Sequence, residues 1–316
     1  KVIIGWSIRT HTPVSTVLVT GGSGAIGVPL LQQLQESAHE PVGIDIRNPP
    51  LDVDLPIRTA DLRSADSLPD ADVVVHLAAH SQVQPTITDP GLAVENVALT
   101  REVLDYAVDR DASVVIASSR EVYGSNIRPE EEDVGVDANN PYAASKLATE
   151  SLASSYASCY GLDVVTLRLA NVYGPYDLNP RVVPIFISKG ISGEQLTVFG
   201  RRKILDFIHV SDVVDVITQV VTDLPAYDGE TLTIGSGRGT RLTDLASNIV
   251  RLIDPCPGFT VESNRDGETE RFVANVQRAT ALLDFDPTPL SEGIKRTVEW
   301  YRDSDEAVTT VMDKLD

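Results

Sequence analysis

Short apolar, β-branched runs alternate with helical patterns along the first half of the chain. Positions 16–20, 42–45, 72–77, 113–118 and 163–169 read as strands, and the stretches 29–37 and 92–109 repeat apolar residues at helical spacing. Strand, helix, strand in repetition predicts a parallel sheet covered on both faces, a doubly wound α/β fold, because each crossover helix must pack its apolar stripe on the sheet. From about Gly174 the alternation weakens into a stretch interrupted by Asn179, Pro180, Pro184, Gly190 and Gly193. Helical patterns resume at 210–222, 242–252 and 290–301. The expected organisation is a large domain over 15–174 and a smaller C-terminal lobe over 175–316, with some later segments packing back on the sheet. Residues 1–14 carry no periodic pattern and read as an extension.

Composition narrows the function. With 316 residues and 42% hydrophobic content the chain can bury a full core. Cys159 and Cys256 stand in neither a CxxC nor a Cys/His ligand spacing, so no disulfide framework and no metal site are expected, and a reducing cytoplasm is the expected location. No apolar run approaches the roughly 18 residues of a membrane span, and no series of charged, apolar and small residues reads as a signal peptide. A formal net charge of −20 argues against a nucleic-acid partner, because backbone binding depends on Lys and Arg neutralising phosphates. A nucleotide-sized ligand is still allowed, since it needs only local donors. Acidity of this degree suits either a salt-adapted surface or ordinary acidic solubility.

Directly after the first strand comes Thr20-Gly21-Gly22-Ser23-Gly24-Ala25-Ile26-Gly27, followed by a helical pattern. Glycines at 21, 24 and 27 in a strand-to-helix turn let the backbone approach a pyrophosphate, and the helix N-terminus offers free N–H groups with a positive dipole end. Asp45 ends the second strand, followed by Ile46, where a carboxylate accepts both ribose hydroxyls of an adenosine and repels a 2′-phosphate. NAD is therefore expected over NADP, although nearby Arg47 softens that preference.

Tyr142 and Lys146 stand four apart at the start of a long helical pattern, so both side chains share one face. Ser119 lies at the carboxyl end of the 113–118 strand, where α/β sheets place their ligand crevices. A Ser, a Tyr and a Lys can converge there. Tyrosine has an ordinary pKa of about 10. Use as a base near neutrality requires a downward shift, in the direction that an adjacent ammonium and a positive nicotinamide supply.

These motifs, with Ala60-Asp61-Leu62, His76-Leu77-Ala78-Ala79, Asn96, Ser118-Ser119-Arg120-Glu121-Val122-Tyr123-Gly124 and Arg168-Leu169-Ala170-Asn171-Val172-Tyr173-Gly174-Pro175, occur in the order seen in extended short-chain dehydrogenases/reductases. The chain resembles their NAD-dependent nucleotide-sugar epimerase/dehydratase branch from about residue 16 to 302. The resemblance implies a Rossmann-type NAD-binding domain, a C-terminal substrate-binding lobe and a homodimer paired through the 92–109 and 142–160 helices. It also implies site roles. Gly21, Gly24, Ala25 and Ile26 would hold the cofactor with Asp45 and Ile46, Asp61 and Leu62 would flank the adenine, and Leu77, Ala78 and Ala79 would line the cofactor. Asn96 would support the site. Tyr142 would be the base, Lys146 would bind the nicotinamide ribose and lower the tyrosine pKa, and Ser119 would hydrogen-bond the sugar.

On the substrate side the resemblance implies Ser81 and Asn171, the latter toward the phosphates, and Arg265 of Arg265-Asp266-Gly267-Glu268 as a diphosphate ligand. Family members carry an Arg where this chain has Leu205, so that contact is expected to move to Arg201 or Arg202. Sugar 4,6-dehydratases resemble the chain at Glu121 but place an acid where Arg120 stands, and Arg cannot donate a proton at neutral pH. Glu at 121 also occurs in sugar-acid decarboxylases, and Arg120 with Glu121 can equally be a surface pair. The expectation is a 4-epimerase acting on a UDP-hexose through a 4-keto sugar, with Glu121 as a further catalytic candidate. A 4,6-dehydratase, a UDP-glucuronate decarboxylase and a non-catalytic NAD sensor are the alternatives.

Overall fold

In chain order the strands are β1 (Thr16–Thr20), β2 (Glu40–Asp45), β3 (Ile57–Thr59), β4 (Val73–His76), β5 (Ser113–Ser119), β6 (Val164–Leu169), β7 (Asn171–Tyr173), β8 (Leu196–Phe199), β9 (Ile204–His209), β10 (Thr231–Ile234), β11 (Gly239–Arg241) and β12 (Phe259–Glu262). The computed structural model describes residues 15–37, 39–49, 51–63, 68–124, 135–263 and 270–315. Seven of these strands form one parallel sheet in the order β3-β2-β1-β4-β5-β6-β10. Its order reverses between β1 and β4, which opens a crevice beyond their carboxyl ends. The expected doubly wound α/β fold is the one observed.

The helices are α1 (Gly27–Glu36), α2 (Val83–Thr88), α3 (Gly91–Arg110), α4 (Pro141–Tyr160), α5 (Val182–Ile191), α6 (Val210–Thr222), α7 (Leu242–Leu252), α8 (Gln277–Leu282), α9 (Leu290–Arg302) and α10 (Asp305–Met312). Alternation within the strands divides the core between two faces. Val17 and Val19 of β1 join Leu30, Leu31 and Leu34 of α1 on one side, while Leu18 joins Val103, Leu104 and Ala107 of α3 on the other. Both faces are buried, as a parallel sheet requires. Among the described residues no helix is long and apolar enough to cross a membrane.

The weakly patterned stretch after Gly174 contains a helix, α5. Pro184 sits in its first turn, where the missing N–H has no intrahelical partner in any case, so the helix tolerates it. The chain then returns to the main sheet: α6 packs against α1, and β10 pairs with β6 in parallel from Thr231↔Thr166 to Ile234↔Leu169. The remaining strands form a small sheet, β11-β9-β7, and a parallel pair, β12-β8. Asp206 of β9, fully buried, ties this region together. Its carboxylate accepts from the Ser236 amide and hydroxyl (2.8 and 2.6 Å), the Gly237 amide (2.9 Å) and the Ala274 amide (3.0 Å).

Candidate active site

The glycine turn is built around contacts that no side chain fits. Gly21 has φ +73°, and a Cβ there would lie 2.9 Å from the Ala78 amide nitrogen. A Cβ on Gly27 would lie 2.3 Å from the Gly21 carbonyl oxygen. The first turn of α1 holds no acidic side chain, so its dipole end and orphan N–H groups face the crevice without a competing negative charge. Asp45, buried at the end of β2, accepts from the Ser23 amide (3.2 Å) and the Arg47 amide (3.0 Å), which fixes it beside the turn. The exposed Arg47 guanidinium lies 3.8 Å from the same carboxylate. These features fit a dinucleotide: a cradle that a Cβ would fill, a helix N-terminus and a pinned carboxylate at the end of the adjacent strand.

The other expected cofactor residues sit along the same edge. Ala25 and Gly24 lie in the turn, Ile26 lines the cavity, and Ile46 is exposed just beyond Asp45. Leu77 and Ala79 line the cavity, and the Ala78 amide donates to the Thr20 hydroxyl (3.2 Å). Leu62 is buried, whereas Asp61 pairs with Arg63 (2.6 Å), whose hydrogen bond holds its carboxyl below the usual range. Asn96 is spent inside the protein, accepting from the His80 amide (2.7 Å) and donating to the His80 carbonyl and the Ser145 hydroxyl (both 3.2 Å). His76 is likewise structural: two threonine hydroxyls contact its ring, and burial, aided by the Lys146 charge, lowers its pKa to about 3.

Ser119, Tyr142 and Lys146 converge on one cavity of about 650 Å³. The helix that carries two of them starts at a defined place. The Asn140 side chain accepts from the Ala143 amide (2.8 Å), Pro141 opens the first turn, and Gly161 at φ +73° closes the far end. The Lys146 ammonium donates to the Ala117 carbonyl (2.8 Å) and lies 6.0 Å from the centroid of the Tyr142 ring. Burial pushes Lys146 down to about 8, with Glu150 opposing. The sequence predicts a lowered tyrosine, and here the structure differs. Among the protein's own groups burial dominates and raises Tyr142, while a hydrogen bond from Ser119 and the charges of Arg181 and Arg120 act downward.

Arg120 and Glu121 open a 3₁₀ turn at the end of β5, and the Ser119 hydroxyl accepts from the Glu121 amide (3.2 Å). They are not the surface pair that adjacent charges usually make. The guanidinium meets Glu121 at 2.7 Å with side chains only 14% and 11% exposed, and both line the cavity. Arg120 also donates to the Asn171 amide oxygen (3.2 Å) and lies 5.4 Å from the Phe272 ring centroid. Asn171 in turn donates to the Asp206 carbonyl (2.6 Å), so both ends of its amide are engaged within the protein.

The substrate wall departs from the sequence expectation at one point. Arg201 and Arg202 are exposed in the turn before β9 and do not line the cavity. Lys203, directly before β9, and Leu205 within it do line the cavity. Sequence reasoning missed Lys203, Lys189 of α5 and Arg181, all of which line the cavity. Arg181 donates to the Ser81 hydroxyl (3.0 Å) across the opening, joining the lobe to the loop after β4. Arg265 lies outside the described residues.

A parallel sheet with its crevice at the β1/β4 reversal, a glycine cradle with a pinned carboxylate and a buried Ser/Tyr/Lys set define a dinucleotide-dependent enzyme. A profile of the NAD dependent epimerase/dehydratase family matches residues 17–235. The dTDP-glucose 4,6-dehydratase of Streptomyces antibioticus is 31% identical over 320 residues, covering 91% of this chain and 92% of its own. MoeE5, solved in complex with UDP-glucose and NAD, is 32% identical with a TM-score of 0.85, over 92% of this chain and 99% of its own. The UDP-glucose 4-epimerase of Thermotoga maritima, solved with UDP-glucose, is 28% identical with a TM-score of 0.82 over the same shares, 92% and 99%. The chain belongs to the NAD dependent epimerase/dehydratase family, and it is an NAD-dependent sugar-nucleotide enzyme.

Proposed function

We propose that the protein is a 4-epimerase of a UDP-linked sugar, acting through a transient 4-keto intermediate. The observation that carries this reading is the half-buried Arg120–Glu121 pair in the cavity wall. Elimination across C5 and C6 needs an acid to protonate the departing 6-hydroxyl, and the guanidinium beside Glu121 cannot supply that proton. Epimerisation needs only the Ser/Tyr/Lys set and room for the keto sugar to turn, which a cavity of about 650 Å³ offers.

In this reading the Tyr142 oxygen takes the proton of the 4-hydroxyl while Ser119 hydrogen-bonds the same sugar oxygen. Bound NAD supplies the hydride acceptor and donor for C4. Lys146 places an ammonium beside the tyrosine and the cofactor ribose. Arg181 and Arg120 add positive charge that opposes the effect of burial on the phenol. Asp45 takes the adenosine ribose hydroxyls, the 21–27 turn takes the pyrophosphate, and Asp61, Leu62, Leu77, Ala78 and Ala79 complete that wall. Lys203 and Lys189 replace the missing arginine at Leu205 as cations for the sugar-nucleotide diphosphate.

A second reading concerns the sugar, a hexuronate in place of a hexose. Arg181 favours it, because its charge reaches Tyr142 and the sugar C6 lies only two bonds from the reacting C4. MoeE5 has also been solved with UDP-glucuronic acid and NAD, at 32% identity and a TM-score of 0.84. Incubation with NAD and UDP-glucose, UDP-glucuronate or dTDP-glucose, followed by mass spectrometry and NMR, separates the possibilities. The expected product is the C4 epimer of a UDP-sugar at unchanged mass. A product lighter by water or carbon dioxide, with no epimer, contradicts the proposal. Absence of turnover on every sugar favours a non-catalytic NAD sensor.

A further inference from the structure

Behind the catalytic set lies a second polar cluster. Glu150 follows Lys146 by one turn of α4, so the two share a helix face. Its carboxylate receives Arg168 of β6 at two points, Nε to Oε1 at 3.0 Å and Nη2 to Oε2 at 2.7 Å, and also accepts from the Ser118 hydroxyl of β5. Arg168 reaches the Tyr123 hydroxyl (3.2 Å), which shares a hydrogen bond with Thr233 of β10 (2.6 Å). The Arg168 and Glu150 side chains are only 17% and 13% exposed, yet neither lines the cavity.

Four elements and a 3₁₀ turn thus contribute to fixing one carboxylate. An unpaired carboxylate at such depth is costly, and the bidentate guanidinium and the serine hydroxyl offset that cost. Lys146, 6% exposed, faces Tyr142 and Glu150 on its own helix, His76 from β4 and the Ala117 carbonyl from β5. His76 is held neutral, so Glu150 is the group that opposes the loss of charge from the buried ammonium.

We propose that Glu150, clamped by Arg168 and Ser118, is a positioning residue for Lys146: it holds a fixed negative charge one helical turn from the ammonium, and so keeps that ammonium protonated beside Tyr142. The catalytic consequence rests on the proposed partnership of Tyr142 and Lys146, whereas the electrostatic claim does not.

Two readouts separate these. Protein labelled with 13C at lysine Cε reports each lysine's protonation by NMR, and the Lys146 signal is identified by its loss in Lys146→Arg. In the parent the Lys146 midpoint is expected near pH 8. In Glu150→Gln it is expected to fall by at least one pH unit, a tenfold loss of proton affinity, with Glu150→Asp intermediate. The alkaline limb of the turnover–pH profile is expected to move acidward by the same amount in Glu150→Gln and to return partway in Glu150→Asp. An unmoved Lys146 midpoint in either folded variant overturns the proposal, and so does a rate that falls equally at every pH with no displacement of the limb. If the parent turns over no sugar, the NMR titration still decides the electrostatic claim while the functional reading fails on its own. Should Glu150→Gln fail to fold, Glu150→Asp carries the same midpoint test.

Discussion

At Tyr142 two effects of opposite sign meet. Burial disfavours the phenolate, while a serine hydrogen bond and two guanidinium charges favour it. Replacing Tyr142 by Phe removes the proton acceptor and leaves the ring that packs beside Lys146. Turnover is expected to fall by about 10²–10⁴-fold, the usual worth of a positioned general base. NAD affinity measured by calorimetry is expected to stay within about threefold, since the oxygen carries only one contact worth about 0.5–1.5 kcal/mol. Undiminished turnover contradicts the assignment. The shared helix face of Tyr142 and Lys146 and the strand terminus at Ser119 were legible from local patterns, while their roles came from the family resemblance. Arg181 and Lys203 were not legible. Arg181, just before α5, meets Ser81 from 100 residues earlier in the chain, and no local pattern encodes that approach. Lys203 lies directly before β9, outside the strand's own alternation, and its neighbour Arg202 is exposed.

The glycine turn is the element whose geometry is most constrained. At Gly27 an alanine methyl meets the Gly21 carbonyl at 2.3 Å and the Gly22 Cα at 2.8 Å, so the turn must open to admit it. Gly27→Ala is expected to destabilise the fold by about 1–3 kcal/mol, the usual cost of overpacking, and to weaken NAD binding at least tenfold. Thermal unfolding and calorimetric titration read the two effects, and wild-type NAD affinity in a folded Gly27→Ala contradicts the assigned cradle. At this scale the three-residue edge strand β3 has no pattern of its own, whereas five main-sheet strands, β1, β2, β4, β5 and β6, and the long helices match the sequence pattern to within a few residues. Their patterns are strong because each buries a face against the same sheet. Helix α5 and strand β10 escaped notice for physical reasons. Two residues commonly taken as breakers, Pro184 and Gly190, fall inside α5 at tolerated positions, and β10 is a short edge strand whose identity comes from pairing with β6.

The whole molecule joins a parallel sheet that carries the glycine turn to a C-terminal region in which Lys189 of α5, Arg181 just before it and Lys203 just before β9 line the cavity. The net charge of −20 makes those inward-facing cations stand out, since an acidic exterior gives an anionic ligand no general attraction. On the proposed reading, binding depends on local donors, among them Lys203, Lys189 and Arg181, which tertiary packing brings to one cavity. The central claim is that the chain inverts a sugar at C4 by removing and returning the same hydrogen, with Tyr142 handling only the hydroxyl proton. The most direct measurement uses a UDP-sugar carrying deuterium at C4, incubated in ordinary water with the NAD-loaded protein and read by NMR and mass spectrometry. The expected result is the C4 epimer at unchanged mass with the deuterium still on C4, because that hydrogen never exchanges with solvent. An epimer that has lost its label to water, or a product lighter by water or carbon dioxide, contradicts the claim.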